Sequence, residues 1–193
     1  MNTLYPIFLN TANIRILLVG GGHTAKEKLH FLLKNSPDAQ ITLVAKAVIA
    51  DILPDENLAK NFVTILQREF EPADLHGIHI VIAATDNPVL HQEIYQLCKT
   101  KNILINVADT PALCDFYLGS IVTKGDIKIA ISTNGKSPTL AKRLREYFED
   151  ILPDEIATLA DNLNSYRNEI KGDLQDKIRK LNELTRSFLK PKE

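Results

Sequence analysis

The chain has 193 residues, 45% hydrophobic and 24% charged, with 23 basic residues against 24 acidic ones for a net charge of −1. It is long enough to bury a core, has the composition of a globular protein, and carries no net field to draw it to nucleic acid or a membrane surface. Two cysteines exclude a disulfide framework and no apolar run reaches the ~18 residues of a spanning helix, so with no signal-peptide pattern the expected location is the cytoplasm.

In chain order, an apolar strand is predicted over 14–19, and it runs straight into Gly20-Gly21-Gly22-His23-Thr24-Ala25. Gly20-x-Gly22-x-x-Ala25 has the spacing of a strand-to-helix turn that holds a dinucleotide pyrophosphate. Gly20 permits the tight turn, Gly22 lets backbone N–H groups approach the phosphates, and small Ala25 lets helix and strand pack closely. The anion then meets the positive end of the helix. A helix is predicted over 25–34, Pro37-Asp38 turns the chain, and further strands follow over 40–44, 63–67, 78–84 and 103–107, with a helix over 88–99. Strands alternating with helices predict a parallel, doubly wound sheet.

The alternation stops after about Asp115. Ile121-Val122-Thr123, the turn Lys124-Gly125-Asp126 and the strand 127–132 predict a hairpin, with Ile127, Ile129 and Ile131 on one face. Ser137 as N-cap and Pro138 at the first helical position open a helix through Ala141, Leu144 and Phe148 that stops before Pro153. From there to Phe188 apolar residues recur every three or four positions, predicting helix with a break point at Gly172. Asp-Ile-Leu-Pro-Asp-Glu occurs at 51–56 and at 150–155, too short for an internal repeat, and both copies read as helix boundaries set by proline.

Three further segments carry chemistry. One strand ends in Ala84-Thr85-Asp86, the next in Asn106-Val107-Ala108-Asp109-Thr110-Pro111, and Ile129-Ala130-Ile131-Ser132-Thr133-Asn134-Gly135-Lys136-Ser137-Pro138 leads into Leu140-Ala141-Lys142-Arg143-Leu144-Arg145-Glu146. With the glycine turn and Tyr5-Pro6-Ile7-Phe8-Leu9 before it, this order resembles the precorrin-2 dehydrogenase family, which includes the amino-terminal module of bifunctional siroheme synthases. The resemblance covers essentially the whole chain. It implies a Rossmann domain (1–114), a dimerisation region of hairpin and helix (115–150) and a helical C-terminal domain (151–193). It further implies a homodimer that oxidises precorrin-2 to sirohydrochlorin with NAD, and in some relatives inserts Fe²⁺ into that tetrapyrrole at the same site.

On the residues alone, Asp109 is a turn aspartate just beyond a strand end; the resemblance makes it the general acid/base that accepts a proton from the substrate. Gly20, Gly22, His23 and Thr24 map onto the pyrophosphate turn, although His23 also reads as an exposed loop residue acting only through its N–H. Where an acid often reads the adenosine ribose, this chain has Lys46-Ala47. The resemblance sets both beside that ribose, while the lysine by itself suits a 2′-phosphate, so NAD over NADP is an inference from the family. Thr85 borders the nicotinamide side, or it and Asp86 simply begin a helix that Asp86 or Asn87 caps. Ser132, Thr133, Asn134, Gly135, Lys136 and Ser137 form a polar loop suited to substrate carboxylates, with Lys142, Arg143 and Arg145 after it as further cations or as a solvated face.

Cys98 and Cys114 read as inert thiols, His76 and His79 as structural, and the five histidines show no metal-ligand spacing. Gly119 stands where the family usually has proline. A reading from another class is an NAD(H)-sensing regulatory module without chemistry. The polar loop and the basic helix after it count against that module, which needs no polycarboxylate site.

Overall fold

A computed structural model describes residues 4–53 and 62–186. The chain divides into two compact units: residues up to Leu118 together with Ser132–Ser137, and Gly119–Ile131 together with the residues from Pro138 onward. These units cut across the three segments read from the sequence. Residues 115–118 stay with the first unit because Phe116 and Leu118 pack on its core and the Asn106 side chain donates to the Phe116 carbonyl at 2.8 Å.

The first unit is a Rossmann-like α/β layer structure. Strands β1 (Arg15–Val19), β2 (Gln40–Val44), β3 (Val63–Leu66), β4 (Ile80–Ala83) and β5 (Leu104–Val107) form one parallel sheet in the order β3-β2-β1-β4-β5. Helix α1 (His23–Asn35) follows β1 and helix α2 (Pro88–Lys101) follows β4. After Arg15, β1 is apolar throughout, as is all of β4, because both faces of a central parallel strand are covered. Ile16, Leu18, Ile80 and Ile82 face one layer with Leu29 of α1, while Leu17, Val19, Val81 and Ala83 face the other with Ile94 and Cys98 of α2. Each of these Leu, Ile and Val side chains removed from water contributes about 1.5–3 kcal/mol before conformational entropy is set against it.

In the second unit, β6 (Ser120–Lys124) and β7 (Ile127–Ile131) form the antiparallel hairpin, with Ile127, Ile129 and Ile131 half-buried and Lys128 and Ala130 exposed. Gly119 lies against β7, where an added Cβ would come within 2.6 Å of the Ile131 carbonyl oxygen. Helix α3 (Pro138–Ile151) ends ahead of Pro153, whereas the first proline boundary, at position 54, lies outside the described residues. α4 (Ile156–Glu169) ends where Ile170 turns extended, and Gly172, with φ +125°, lies in the break before α5 (Leu174–Thr185); Phe188 is outside the described residues.

Candidate functional site

The strand order reverses direction between β1 and β4, so the connections that leave their carboxyl ends go to opposite faces of the sheet and open a crevice. A cavity of about 710 Å³ occupies that rim, lined by Gly20–Thr24 after β1, Ala45, Lys46 and Ala47 after β2, Arg68, Glu69 and Phe70 after β3, and 84–87 after β4.

The glycines divide the work. Gly20 has φ +129°, and a Cβ on it would sit 2.3 Å from the Ala84 carbonyl oxygen; on Gly21 it would sit 2.1 Å from that of Ala47. Those two positions let the turn press against its neighbours. A Cβ on Gly22 would meet nothing within 4 Å, because Gly22 faces open cavity. Gly22 is also the N-cap of α1, which has no side-chain cap, so the first-turn N–H groups remain available to an anion. α2 is built differently: the Asn87 side chain accepts from the N–H groups of Val89 at 3.0 Å and Leu90 at 3.2 Å. Of the helices among the described residues that start at this rim, α1 therefore fits a pyrophosphate and α2 does not.

Two ion pairs mark the β2–β3 side. The Lys46 ammonium lies 2.5 Å from the Glu69 carboxylate. Arg68 is bound by two nitrogens to Asp74, at 2.9 and 2.5 Å, and its guanidinium holds the Asp74 carboxyl below the usual carboxylate range. On the β4 side, the buried His91 ring organises Thr85. The Thr85 N–H donates to His91 Nε2 at 3.3 Å, the Thr85 hydroxyl lies 2.9 Å from the same nitrogen, and the Asn87 N–H donates to that hydroxyl at 3.2 Å. Burial pushes the His91 pKa down, which keeps the ring neutral and Nε2 free to accept.

Gly20, Gly22, His23, Thr24, Lys46, Ala47 and Thr85 thus lie together in one cavity wall. Asp109 is outside that wall. It occupies an exposed turn after β5, closed by the Thr110 N–H donating to the Val107 carbonyl at 3.3 Å, with a left-handed φ of +56°. Ser132–Ser137 also lie outside the wall, although they belong to the same unit. Asn134 and Gly135 both have positive φ, and Lys136 N–H donates to the Thr133 carbonyl at 3.1 Å, which makes a type I′ turn. The Thr133 hydroxyl then ties the turn to the Ser137 backbone.

No motif in the sequence marks Arg68, Glu69, Phe70, Gly21 or His91 for this site. The readable signals were a charged pair directly after the short strand 63–67 and a histidine one and a half turns beyond Thr85. Cys98 is buried with its thiol pushed up to about 11, and burial also raises Cys114, whose sulfur accepts the Val107 N–H at 3.2 Å. His79 Nδ1 accepts the Arg15 N–H at 3.1 Å, a structural role. Among the described residues no three His, Cys, Asp or Glu side chains are grouped to hold a metal ion, and no helix is long and apolar enough to cross a membrane.

Comparison with known proteins agrees with this geometry. Residues 7–120 match the family model described as "Putative NAD(P)-binding", and residues 124–150 match the one described as "Sirohaem biosynthesis protein central". The chain is 37% identical over 172 residues to the siroheme synthase of Vesicomyosocius okutanii, covering 89% of this chain and 36% of that protein. It is 38% identical over 166 residues to that of Pseudoalteromonas translucida, covering 86% and 34%. The chain therefore spans about a third of the length of these curated relatives. A solved structure of SirC, a precorrin-2 dehydrogenase, superposes with a TM-score of 0.71 at 24% identity, covering 94% of this chain and 89% of the other, and shares the fold. With a glycine-floored cavity at the strand reversal and the family match running through it, the chain belongs to this NAD(P)-binding family, in the company of the siroheme synthases.

Proposed function

We propose that this chain oxidises precorrin-2 to sirohydrochlorin with NAD in the formation of siroheme. The observation that carries the proposal is the open, uncapped start of α1 at the floor of the crevice, in a chain whose relatives are siroheme synthases. The bound nicotinamide would take up the hydride; the part of this chain is to hold the dinucleotide, orient the tetrapyrrole and accept the proton released with it. Gly20, Gly22, His23 and Thr24 hold the pyrophosphate, Lys46 and Ala47 flank the adenosine ribose, and Thr85 borders the nicotinamide. Asp109 accepts the proton. Support for that role is its exposed carboxylate beyond the carboxyl end of β5, where open sheets bind their substrates. Ser132, Thr133, Asn134, Gly135, Lys136 and Ser137 receive substrate carboxylates. In the same proposal Fe²⁺ is a second substrate, ligated mainly by the ring nitrogens. The protein acts in the cytoplasm as a homodimer, with 115–150 as its dimerisation region and 151–193 as a helical domain.

The test is precorrin-2 with NAD⁺ on the full chain, following NADH, and Fe²⁺ insertion into sirohydrochlorin on the same preparation. Absence of NADH formation by folded protein overturns the proposal. Asp109→Asn is the informative variant, because asparagine tolerates the left-handed backbone at this position. It should lower turnover by roughly 10²-fold or more while dinucleotide affinity changes little.

A further inference from the structure

The sequence leaves a lysine where dinucleotide-binding folds often place the acid that reads the adenosine ribose, and the structure supplies a carboxylate from elsewhere. β2 and β3 are parallel and in register, Val44 opposite Leu66, so the residues that follow them emerge on one rim. Lys46 and Glu69 meet there at 2.5 Å, and both line the cavity. The second cation of this rim, Arg68, is committed. Its two nitrogens engage Asp74, whose side chain is only 6% exposed and whose Oδ2 also accepts the Glu71 N–H at 2.8 Å.

We propose that Glu69 is the acid that reads the adenosine ribose, and that it sets a preference for the dinucleotide with a free 2′-hydroxyl. The inference rests on the reading of the cavity as a dinucleotide site. A ribose diol donates hydrogen bonds that a carboxylate accepts, whereas a 2′-phosphate offers only acceptors and negative charge. Lys46 and Arg68 would attract that phosphate if they stood alone. Each is matched by a carboxylate, so the rim has no surplus positive charge and turns an acid toward the phosphate. Lys46 has a second part in this arrangement: its pairing with Glu69 brings that carboxylate, which follows β3, beside the residues that follow β2.

Calorimetric titration of the full chain with NAD⁺ and, separately, NADP⁺ tests the assignment. Wild type should bind NAD⁺ at least ~10-fold more tightly, a difference of about 1.4 kcal/mol. Glu69→Gln, at a largely exposed position where folding is not at risk, should narrow that ratio by ~10-fold, chiefly through gained NADP⁺ affinity, and Glu69→Lys should invert it. A wild type that prefers NADP⁺, or a ratio unchanged in both variants, overturns the inference. A wild type that binds neither dinucleotide overturns the site reading beneath it. Failure to oxidise precorrin-2 with the ratio shifting as stated refutes the proposed reaction and leaves Glu69 in its role.

Discussion

At the scale of single residues, the chemistry of this site depends on side chains that act through others. His91 holds Thr85 by accepting its N–H at Nε2, with the hydroxyl 2.9 Å from the same nitrogen; accepting requires a neutral ring, and burial lowers its pKa from the ordinary 6.5. Because the unfolded chain binds the proton more readily than the folded one, stability is full above pH ~6.5 and falls as the pH drops through the lower, folded-state value. Urea denaturation should show that acid-side loss in wild type, and His91→Gln should remove it; an identical pH profile in the variant would show that His91 is not its source. The pairing was not legible from the sequence, since an imidazole six residues beyond a threonine has no fixed meaning until a helix turns it inward. Lys46 is a comparable case. Its position was readable, but its pairing with Glu69 arises from the adjacency of β2 and β3, which no local pattern contains.

At the scale of elements, the strands and the two sheet helices were readable to within a few residues, because buried parallel strands are apolar on both faces and glycine, proline and asparagine punctuate their ends. The register of the helices at the rim was less so: Asn87, and not Asp86, caps α2, which only the direction of its side chain decides. The glycine turn offers a clean separation of structural from functional roles. Gly20→Ala forces a Cβ into the Ala84 carbonyl at positive φ, costing at least about 1–3 kcal/mol from backbone strain alone, and should lower Tm by ~5 °C or more. Gly22→Ala meets no protein atom within 4 Å and loses only the weaker N-cap preference of alanine, up to ~1 kcal/mol, yet its methyl would enter the proposed anion site. Thermal melts with dinucleotide titrations should therefore show Gly20→Ala failing mainly in stability and Gly22→Ala mainly in affinity, by ~10-fold or more. Equal losses of both kinds in the two variants would refute the division.

At the scale of the whole molecule, the two units are unequally filled. The first buries layered cores on both sides of its sheet, while in the second only Val122, Ala141 and Ile170 are buried among the described hydrophobics. Tyr147, in the proposed dimerisation region, and Leu174 and Leu184 beyond it are each nearly 60% exposed, and a second copy of the chain would cover Tyr147 in the proposed homodimer. Sedimentation should find a dimer at micromolar concentration, and Tyr147→Glu should weaken it by at least ~10-fold. A monomer under those conditions would refute the dimer. The helical pattern of this region was legible, but an apolar stripe has the same spacing whether it faces its own chain or another.

The path of the chain between the units has a consequence of its own. It leaves the dinucleotide-binding unit after Leu118, returns for Ser132–Ser137, and leaves again at Pro138. No contiguous stretch of sequence encodes that unit alone, so a single cut cannot release all of it without residues of the second unit. A fragment ending at 118 lacks six of its residues, and a nick at the Lys124-Gly125-Asp126 turn leaves each product holding a piece of it.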